Sequence, residues 1–155
     1  MKKSWVITTF LAGGLFAIGC TTQPLKSESL ITNWQPNINQ PIEQLEEILS
    51  QLEQQQPMNY TISNVAFLYD AKLYILFGNF ITVLPKSERT YRISEQNKWL
   101  KKREELIRLA YAEYEGGTLA SYSSGKMSID FTKKRITEIE NKMTTLPTKA
   151  LKAPK

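Results

Sequence analysis

Apolar residues recur at spacings of three and four in four successive segments, and this periodicity constrains the fold more than any other feature of the chain. The segments share helical spacing and span residues 42–52, 64–83, 90–115 and 118–143. Breaks separate them at Gln54–Pro57, at Pro85 and at Gly116–Gly117, which are residue types that end helices. The pattern predicts an all-α fold, a small antiparallel helical bundle or hairpin with an added N-terminal helix, in a domain spanning 42–144.

The second segment also admits a strand interpretation, because residues 74–84 are rich in β-branched and aromatic side chains. Its length and its lack of clean alternation favour a helix. Apolar residues cover more than half of that helix, which predicts that it is the most buried one. Gly78 lowers the helix propensity there, and it could instead mark a close helix crossing. In the fourth segment, Ser123–Gly125 is a weak patch that could divide the helix, and Thr118 is a candidate N-cap.

The N-terminus has the organisation of a bacterial lipoprotein signal. Lys2 and Lys3 precede an uncharged run, and Ala17–Cys20 resembles a lipobox, with Ala17 where that motif more often has Leu. We therefore expect residues 1–19 to be a signal peptide and Cys20 to carry lipid. An uncleaved membrane helix is disfavoured because the run is shorter than the ~20 residues a span needs. An ordinary secretory signal would leave Cys20 as a free thiol, and a lone cysteine excludes a disulfide framework.

Residues on either side of the helical segments predict a tether and a tail. The lipidated N-terminus and a flexible, proline-punctuated tether span 20–41, apart from Trp34, and a disordered tail spans 145–155. Thr21, rather than Asp, follows the cysteine, and the resemblance to Gram-negative lipoproteins then implies a membrane-anchored location in the cell envelope, at the outer membrane. Removing Lys2 and Lys3 lowers the net charge from +5 to +3, without any basic run interleaved with aromatics, so we expect no nucleic-acid partner.

Several kinds of chemistry lack their usual residues. The chain has no histidine, and its one cysteine is assigned to lipid, so the commonest general base, metal ligands and thiol nucleophile are missing. Glu113 and Glu115 are two residues apart, which points them to different sides of a helix and makes a poor acid/base pair. The sequence thus predicts a protein without catalytic residues, metal or cofactor.

The stretch from Asp70 to Glu140 resembles the LprI-type lysozyme-inhibitor-like family of envelope proteins. The matching pieces, in order, are Asp70-x-x-Leu73-Tyr74, Gln96-x-x-Trp99-Leu100-x-x-Arg103, Glu113-x-Glu115-Gly116-Gly117 and Phe131-Thr132-x-x-Arg135-x-x-Glu138-Ile139. The resemblance implies a helical binding module and a protein partner, with lysozyme as one candidate. Family members usually carry two further cysteines, and this chain has Ile107 and Met127 at those positions. We expect an Ile–Met contact between the third and fourth helices in their place.

The motif residues also have an explanation that needs no family. Gln96, Trp99 and Arg103 share one helix face, with Arg135, Glu138 or Asp70 as partners for ion pairs between helices, so all of them could serve packing alone.

Two functions remain open after these considerations. The chain could inhibit host lysozyme through a projecting loop that contains Glu113, Glu115, Gly116 and Gly117. It could instead be a structural or scaffolding lipoprotein that docks other envelope proteins. An outward acidic loop would favour the inhibitor, and a long exposed apolar stripe would favour the scaffold.

Overall fold

The computed structural model describes residues 36–146, and this part of the chain is all-α, as the periodicity predicts. Its helices are α1 (Asn39–Gln51), α2 (Gln55–Val83), α3 (Lys86–Ala112) and α4 (Thr118–Thr144). The signal peptide, Cys20, Trp34, the tether up to residue 35 and the tail from residue 147 lie outside the described residues.

α2 and α4 run side by side in the same direction. Asn59 donates a hydrogen bond to the Thr118 carbonyl, and further along both helices Lys133 lies over the Tyr69 ring. α3 runs antiparallel to α4, because Arg103 meets Ser128 whereas Gln96 meets Arg135. α1 packs on α2. The result is a three-helix bundle with α1 added at its N-terminal side, and it positions α4 between α2 and α3.

The core lies along the contacts of α4 and α1 with α2. Ile62, Val65 and Ile139 are at most 1% exposed, and their burial supplies the main apolar stabilisation of the bundle. The other apolar members are buried to a similar degree; they are Ile42, Tyr69, Leu73, Phe80, Leu84, Ile129 and Ile136.

α2 and α3 begin earlier than predicted, because Pro57 and Pro85 were taken to separate helices and not to lie at a helix start. α2 begins at Gln55, and Pro57 is therefore its third residue. The first four N–H groups of a helix have no intrahelical partner, so a proline there costs no hydrogen bond. α3 likewise begins at Lys86, directly after Pro85.

The turn between α3 and α4 also differs from the prediction. α3 ends at Ala112, because Glu115 and Gly116 adopt positive φ of 53° and 75°. Gly117, and not Thr118, occupies the N-cap position of α4, and no side chain caps that helix. α4 then continues through Ser123–Gly125 without a break.

The close helix approach involves Gly125 rather than Gly78. A Cβ atom added at Gly125 would lie 3.0 Å from Ile62 Cγ2, whereas one added at Gly78 would meet nothing within 4 Å. α4 approaches α2 at Gly125 because the missing side chain lets buried Ile62 fill that space. The weak patch in the fourth segment is therefore a place where α4 packs closely on α2.

α2 has six buried residues, nearly as many as the seven of α4, but its apolar circumference is not covered all round as the sequence implied. α2 places one apolar face against α1 and α4, but Tyr60, Phe67 and Tyr74 on its other face are 73%, 71% and 82% exposed. The described helices are too few to surround a helix whose apolar residues cover more than half of its circumference.

Candidate functional site

Trp99 on α3 is the centre of a polar cluster between α3 and α4. Its ring stacks on Phe131 of α4, with ring centroids 5.3 Å apart and planes 10° from parallel. The guanidinium groups of Arg103 and Arg135 lie 5.7 Å and 5.8 Å from the Trp99 ring centroid. Each separation is within the range in which a cation is attracted to the face of an aromatic ring.

Arg135 is the most deeply buried charge of this cluster, with a side chain only 5% exposed. Its Nε donates a hydrogen bond to Gln96 Oε1 at 2.9 Å, and its Nη1 donates one to Glu138 Oε2 at 2.9 Å. Glu95 Oε1 lies 3.6 Å from the same Nη1. These partners are needed because an unpaired guanidinium in the core would strongly destabilise the fold.

Glu95 connects three cations at one end of this cluster. Burial raises the pKa of its carboxyl, but hydrogen bonds from Lys142 and Arg92, with the nearby charges of Lys142 and Arg135, outweigh it and lower the pKa to about 2. Lys142 Nζ donates to Glu95 Oε1 at 2.8 Å, which joins α4 to α3. The carboxylate is therefore held ionised wherever the protein is folded near neutral pH.

Arg103 links all three helices of the bundle. Its Nη2 lies 2.6 Å from Asp70 Oδ1 on α2 and donates an aligned hydrogen bond to Ser128 Oγ on α4 at 2.8 Å. The Asp70 contact is an ion pair, since Asp70 Oδ1 makes no aligned hydrogen bond within the described residues. This pair connects α2 and α3 midway along their length, and near the turn between them Arg89 Nη2 donates a hydrogen bond to the Thr82 carbonyl at 3.1 Å.

The structure therefore brings together the motif residues that the sequence singled out. The contacts above join five of these residues, Asp70, Gln96, Trp99, Arg103 and Arg135. We call the whole set of contacting residues the Trp99 network; its other members are Arg92, Glu95, Ser128, Phe131, Glu138 and Lys142. Thr132 is fully buried, and its Oγ1 has no hydrogen-bond partner among the described residues. Arg92–Glu95, Arg135–Glu138 and Arg103–Trp99 are contacts within one helix, whereas the other contacts of the network join one helix to another, which is the arrangement expected of packing residues.

A second polar contact, which the sequence analysis missed, joins α1 to α2 and α4. Lys133 Nζ lies 2.6 Å from Glu46 Oε1, and the Tyr69 hydroxyl donates a hydrogen bond to the same oxygen at 3.2 Å. Burial lowers the pKa of Lys133, but its hydrogen bonds to Glu46 and Tyr69 outweigh burial and leave that pKa raised. Burial also raises the pKa of the Tyr69 hydroxyl. No local spacing in the sequence connects residues so far apart.

The turn that contains Glu113, Glu115, Gly116 and Gly117 is exposed and separate from the Trp99 network. Backbone hydrogen bonds from Glu115 N to Ala112 O and from Gly117 N to Tyr114 O, at 3.0 Å and 2.9 Å, fix its shape. Asn59 Nδ2 adds a hydrogen bond of 2.7 Å to the Thr118 carbonyl directly after the turn. The turn therefore presents two carboxylates on an ordered backbone at one end of the bundle.

Ile107 and Met127 line different cavities. Ile107 borders a cavity with Phe67 and Gly125, whereas Met127 borders one with Tyr114 and Leu119 near the turn. The direct contact expected between Ile107 and Met127 therefore stays a prediction.

Tyr60, Phe67 and Tyr74 form an exposed aromatic stripe on α2. The three residues are spaced by seven, so they lie on one face of the helix over about 21 Å. The spacing was visible in the sequence, but the apolar character of these residues suggested burial. No other helix among the described residues exposes three aromatic side chains at this spacing.

Neither a metal-binding cluster nor an unambiguous membrane span is found among residues 36–146. Within residues 36–146, no group of three or more His, Cys, Asp or Glu residues could hold a metal ion. By length and composition alone, α2 is a candidate membrane span, with a mean hydropathy of 1.2 over a window that is 22% buried in the bundle.

No protein-family model, curated protein or solved structure matches this chain.

Proposed function

We propose that this chain is a binding protein of the bacterial cell envelope, rather than an enzyme, and that its helical domain docks a protein partner. The observation that carries the proposal is the aromatic stripe, whose side chains are 71–82% exposed. Aromatic residues are enriched where proteins bind one another, since they bury a large area with few rotatable bonds. A soluble bundle gains nothing from leaving three of them in water on one helix face.

The geometry of the stripe suits a helical partner. Residues spaced by seven along α2 present a straight row, which is the pattern that one helix offers to another in a coiled coil. Between Tyr60 and Tyr74 the charged residues are Asp70 and Lys72 alone, and Asp70 is paired with Arg103. Lys72 is two residues before Tyr74 and therefore lies on a different face of α2, so the stripe can be covered without leaving an unpaired charge in the interface.

The test compares Phe67→Glu with Tyr91→Glu. Tyr91 on α3 is 65% exposed and stands outside the stripe, so the two variants place the same charge on comparably exposed aromatic positions. We expect Phe67→Glu to shift the protein to a smaller species on native gels of solubilised envelope, with Tyr91→Glu unchanged. Equal migration of both variants and the parent chain would contradict docking at the stripe.

The proposed location depends on the N-terminal sequence. The lipobox-like Ala17–Cys20, with Thr21 after it, supports lipidation of Cys20 and anchoring at the outer membrane. A triacylated cysteine would hold the protein stably, because more than one acyl chain is needed for firm membrane residence. Replacing Cys20 with Ser should move the protein from the membrane fraction to the aqueous fraction, and an unmodified Cys20 in the intact mass would contradict the anchor.

Inhibition of host lysozyme is the second candidate function. It is supported by the resemblance to the LprI-type family and by the ordered, exposed turn with Glu113 and Glu115. Two carboxylates at the end of a bundle could enter the cleft of a cationic enzyme. If so, the parent chain should slow lysozyme-catalysed lysis, and the double change Glu113→Gln, Glu115→Gln should abolish this effect. A parent chain without any inhibition would eliminate this candidate and leave docking at the stripe untouched.

A further inference from the structure

A groove between α2 and α3 is left open because α4 packs on the opposite side of both helices. Its cavity volume is about 370 Å³, which is within the range of small-molecule sites. The walls are mainly apolar; they are Leu73, Tyr74 and Phe77 from α2 and Ile93 and Leu100 from α3. The polar residues that line it are Asp70, Gln96, Asn97 and Arg103. Phe67 does not line this groove.

Gln96 provides an unused hydrogen-bond donor in this groove. The residue is 7% exposed, and its Oε1 accepts the hydrogen bond from Arg135 Nε at 2.9 Å. Arginine carries donors only, so the amide atom that faces Arg135 must be the oxygen. The Nε2 of Gln96 is then fixed in orientation, and it makes no hydrogen bond within the described residues. This nitrogen is not fully enclosed by protein atoms, so an acceptor in the groove can reach it.

The charge of the surrounding network favours an anionic acceptor. The Trp99 network contains four cations, Arg92, Arg103, Arg135 and Lys142, and three carboxylates, Asp70, Glu95 and Glu138, which gives 4 − 3 = +1. Arg103 is itself 12% exposed and has a buried Nε without a hydrogen bond in this part of the chain. One negative charge next to Gln96 and Arg103 would therefore balance the network.

We propose that the α2–α3 groove binds a small amphipathic carboxylate, with its aliphatic chain against Leu73, Phe77 and Leu100 and its carboxylate accepting a hydrogen bond from Gln96 Nε2. The site shares Tyr74 with the aromatic stripe, but its polar end at Gln96 and Arg103 lies outside the stripe. The groove holds a volume equal to roughly a dozen water molecules, so the ligand is of the size of a medium-chain fatty acid rather than a whole phospholipid.

The test uses decanoate, methyl decanoate and decyltrimethylammonium with the full chain carrying Cys20→Ser, which removes acyl chains that would compete. Binding is measured by calorimetry and by the side-chain amide resonance of Gln96 in ¹⁵N–¹H spectra. The three probes share one chain and differ in the head, which is anionic, neutral or cationic. We expect decanoate to bind and to shift the Gln96 resonance, and the other two probes to bind at least tenfold more weakly.

Gln96→Glu is the decisive variant, because it keeps an oxygen for Arg135 and replaces the donor with a second acceptor. It should weaken decanoate binding at least tenfold. Gln44→Glu, which adds the same charge on the exposed face of α1, should leave the affinity within twofold. Leu100→Asn changes a 42% exposed wall residue, so it keeps the core intact, and should weaken binding at least threefold. This variant tests the site even if Gln96→Glu alters the fold.

Several outcomes would overturn the proposal. Absence of decanoate binding would do so, as would equal affinity for decanoate and decyltrimethylammonium. Equal affinity for decanoate and its methyl ester would mean that the groove recognises a neutral carbonyl and not a carboxylate. Unchanged binding in both Gln96→Glu and Leu100→Asn would place the ligand elsewhere. Because Phe67→Glu should leave decanoate binding unchanged, failure of the ligand proposal and failure of docking at the stripe are distinguishable.

Discussion

Glu95 shows how a single residue determines the electrostatics of the α3–α4 contact. It accepts hydrogen bonds from Arg92 and Lys142 and lies near Arg135, so three cations depend on one carboxylate. The side chain is 30% exposed, which means that water screens part of this interaction. The lowering of its pKa to about 2 nevertheless makes it the described residue whose ionisation is most strongly coupled to folding.

Glu95→Gln should therefore change how stability depends on pH. The pKa is depressed from 4.5 to about 2 in the folded state, so the stabilisation is complete above about pH 4.5 and is lost as the pH falls through about 2. We expect Glu95→Gln to lower the free energy of unfolding by about 1–2 kcal/mol at neutral pH and to be equivalent to the parent chain below pH 2. Urea unfolding at a series of pH values measures this. The control is Glu105→Gln, on the same helix and without an ion pair in the described residues; it should keep the parent's dependence of stability on pH. If Glu95→Gln also left that dependence unchanged, the ionisation of Glu95 would not be coupled to folding.

At the scale of the helices, the two glycines in α2 and α4 have opposite roles. Gly78 is exposed with open space around it, whereas Gly125 allows α4 to approach Ile62. The sequence suggested the opposite assignment, because Gly78 lies in an apolar helical pattern whereas Gly125 lies in the weak patch Ser123–Gly125. Only the packing of one helix on another determines which glycine is at a contact.

Substituting alanine at each glycine tests this difference. Gly78→Ala should stabilise the protein by about 0.5–1 kcal/mol, since alanine restricts the unfolded chain and meets no neighbour. Gly125→Ala should destabilise it by about 1–2 kcal/mol, since its Cβ would lie 3.0 Å from Ile62, a β-branched side chain that is 1% exposed. Thermal unfolding followed by circular dichroism measures both. Stabilisation by both substitutions would mean that α2 and α4 are not in close contact at Gly125.

Helical periodicity predicted the fold class and the helix count of the described region, because it reflects only local spacing. It placed helix starts less well at Pro57 and Pro85, since a proline both ends one helix and is tolerated in the first turn of the next. It also indicated that Gln96, Trp99 and Arg103 share a face; in the structure Gln96 and Trp99 both contact Arg135, and Arg103 contacts the Trp99 ring. The Glu46–Lys133–Tyr69 contact was beyond prediction, because its residues come from three helices whose relative positions are set by the tertiary fold.

At the scale of the whole molecule, the number of helices determines which apolar residues are covered. α1 and α4 cover one face of α2, and α3 packs against α4. The opposite face of α2 and the α2–α3 groove therefore remain open. The sequence predicted burial for Phe67 and Tyr74 from their type, but burial depends on how many neighbours a helix receives. The exposed face is thus a consequence of topology, and it is the surface on which we expect a partner to bind.

Site-specific photo-crosslinking at Phe67 tests whether a protein partner docks on the aromatic stripe. A photoreactive phenylalanine analogue replaces Phe67 in one variant and Tyr91 in the control, and cells are irradiated before the envelope is separated on denaturing gels. If a partner docks on the stripe, we expect one discrete protein adduct from position 67 that is absent from position 91. An adduct to lipid alone at position 67, an equal adduct from both positions, or no adduct at all would contradict docking of a protein partner on the aromatic stripe.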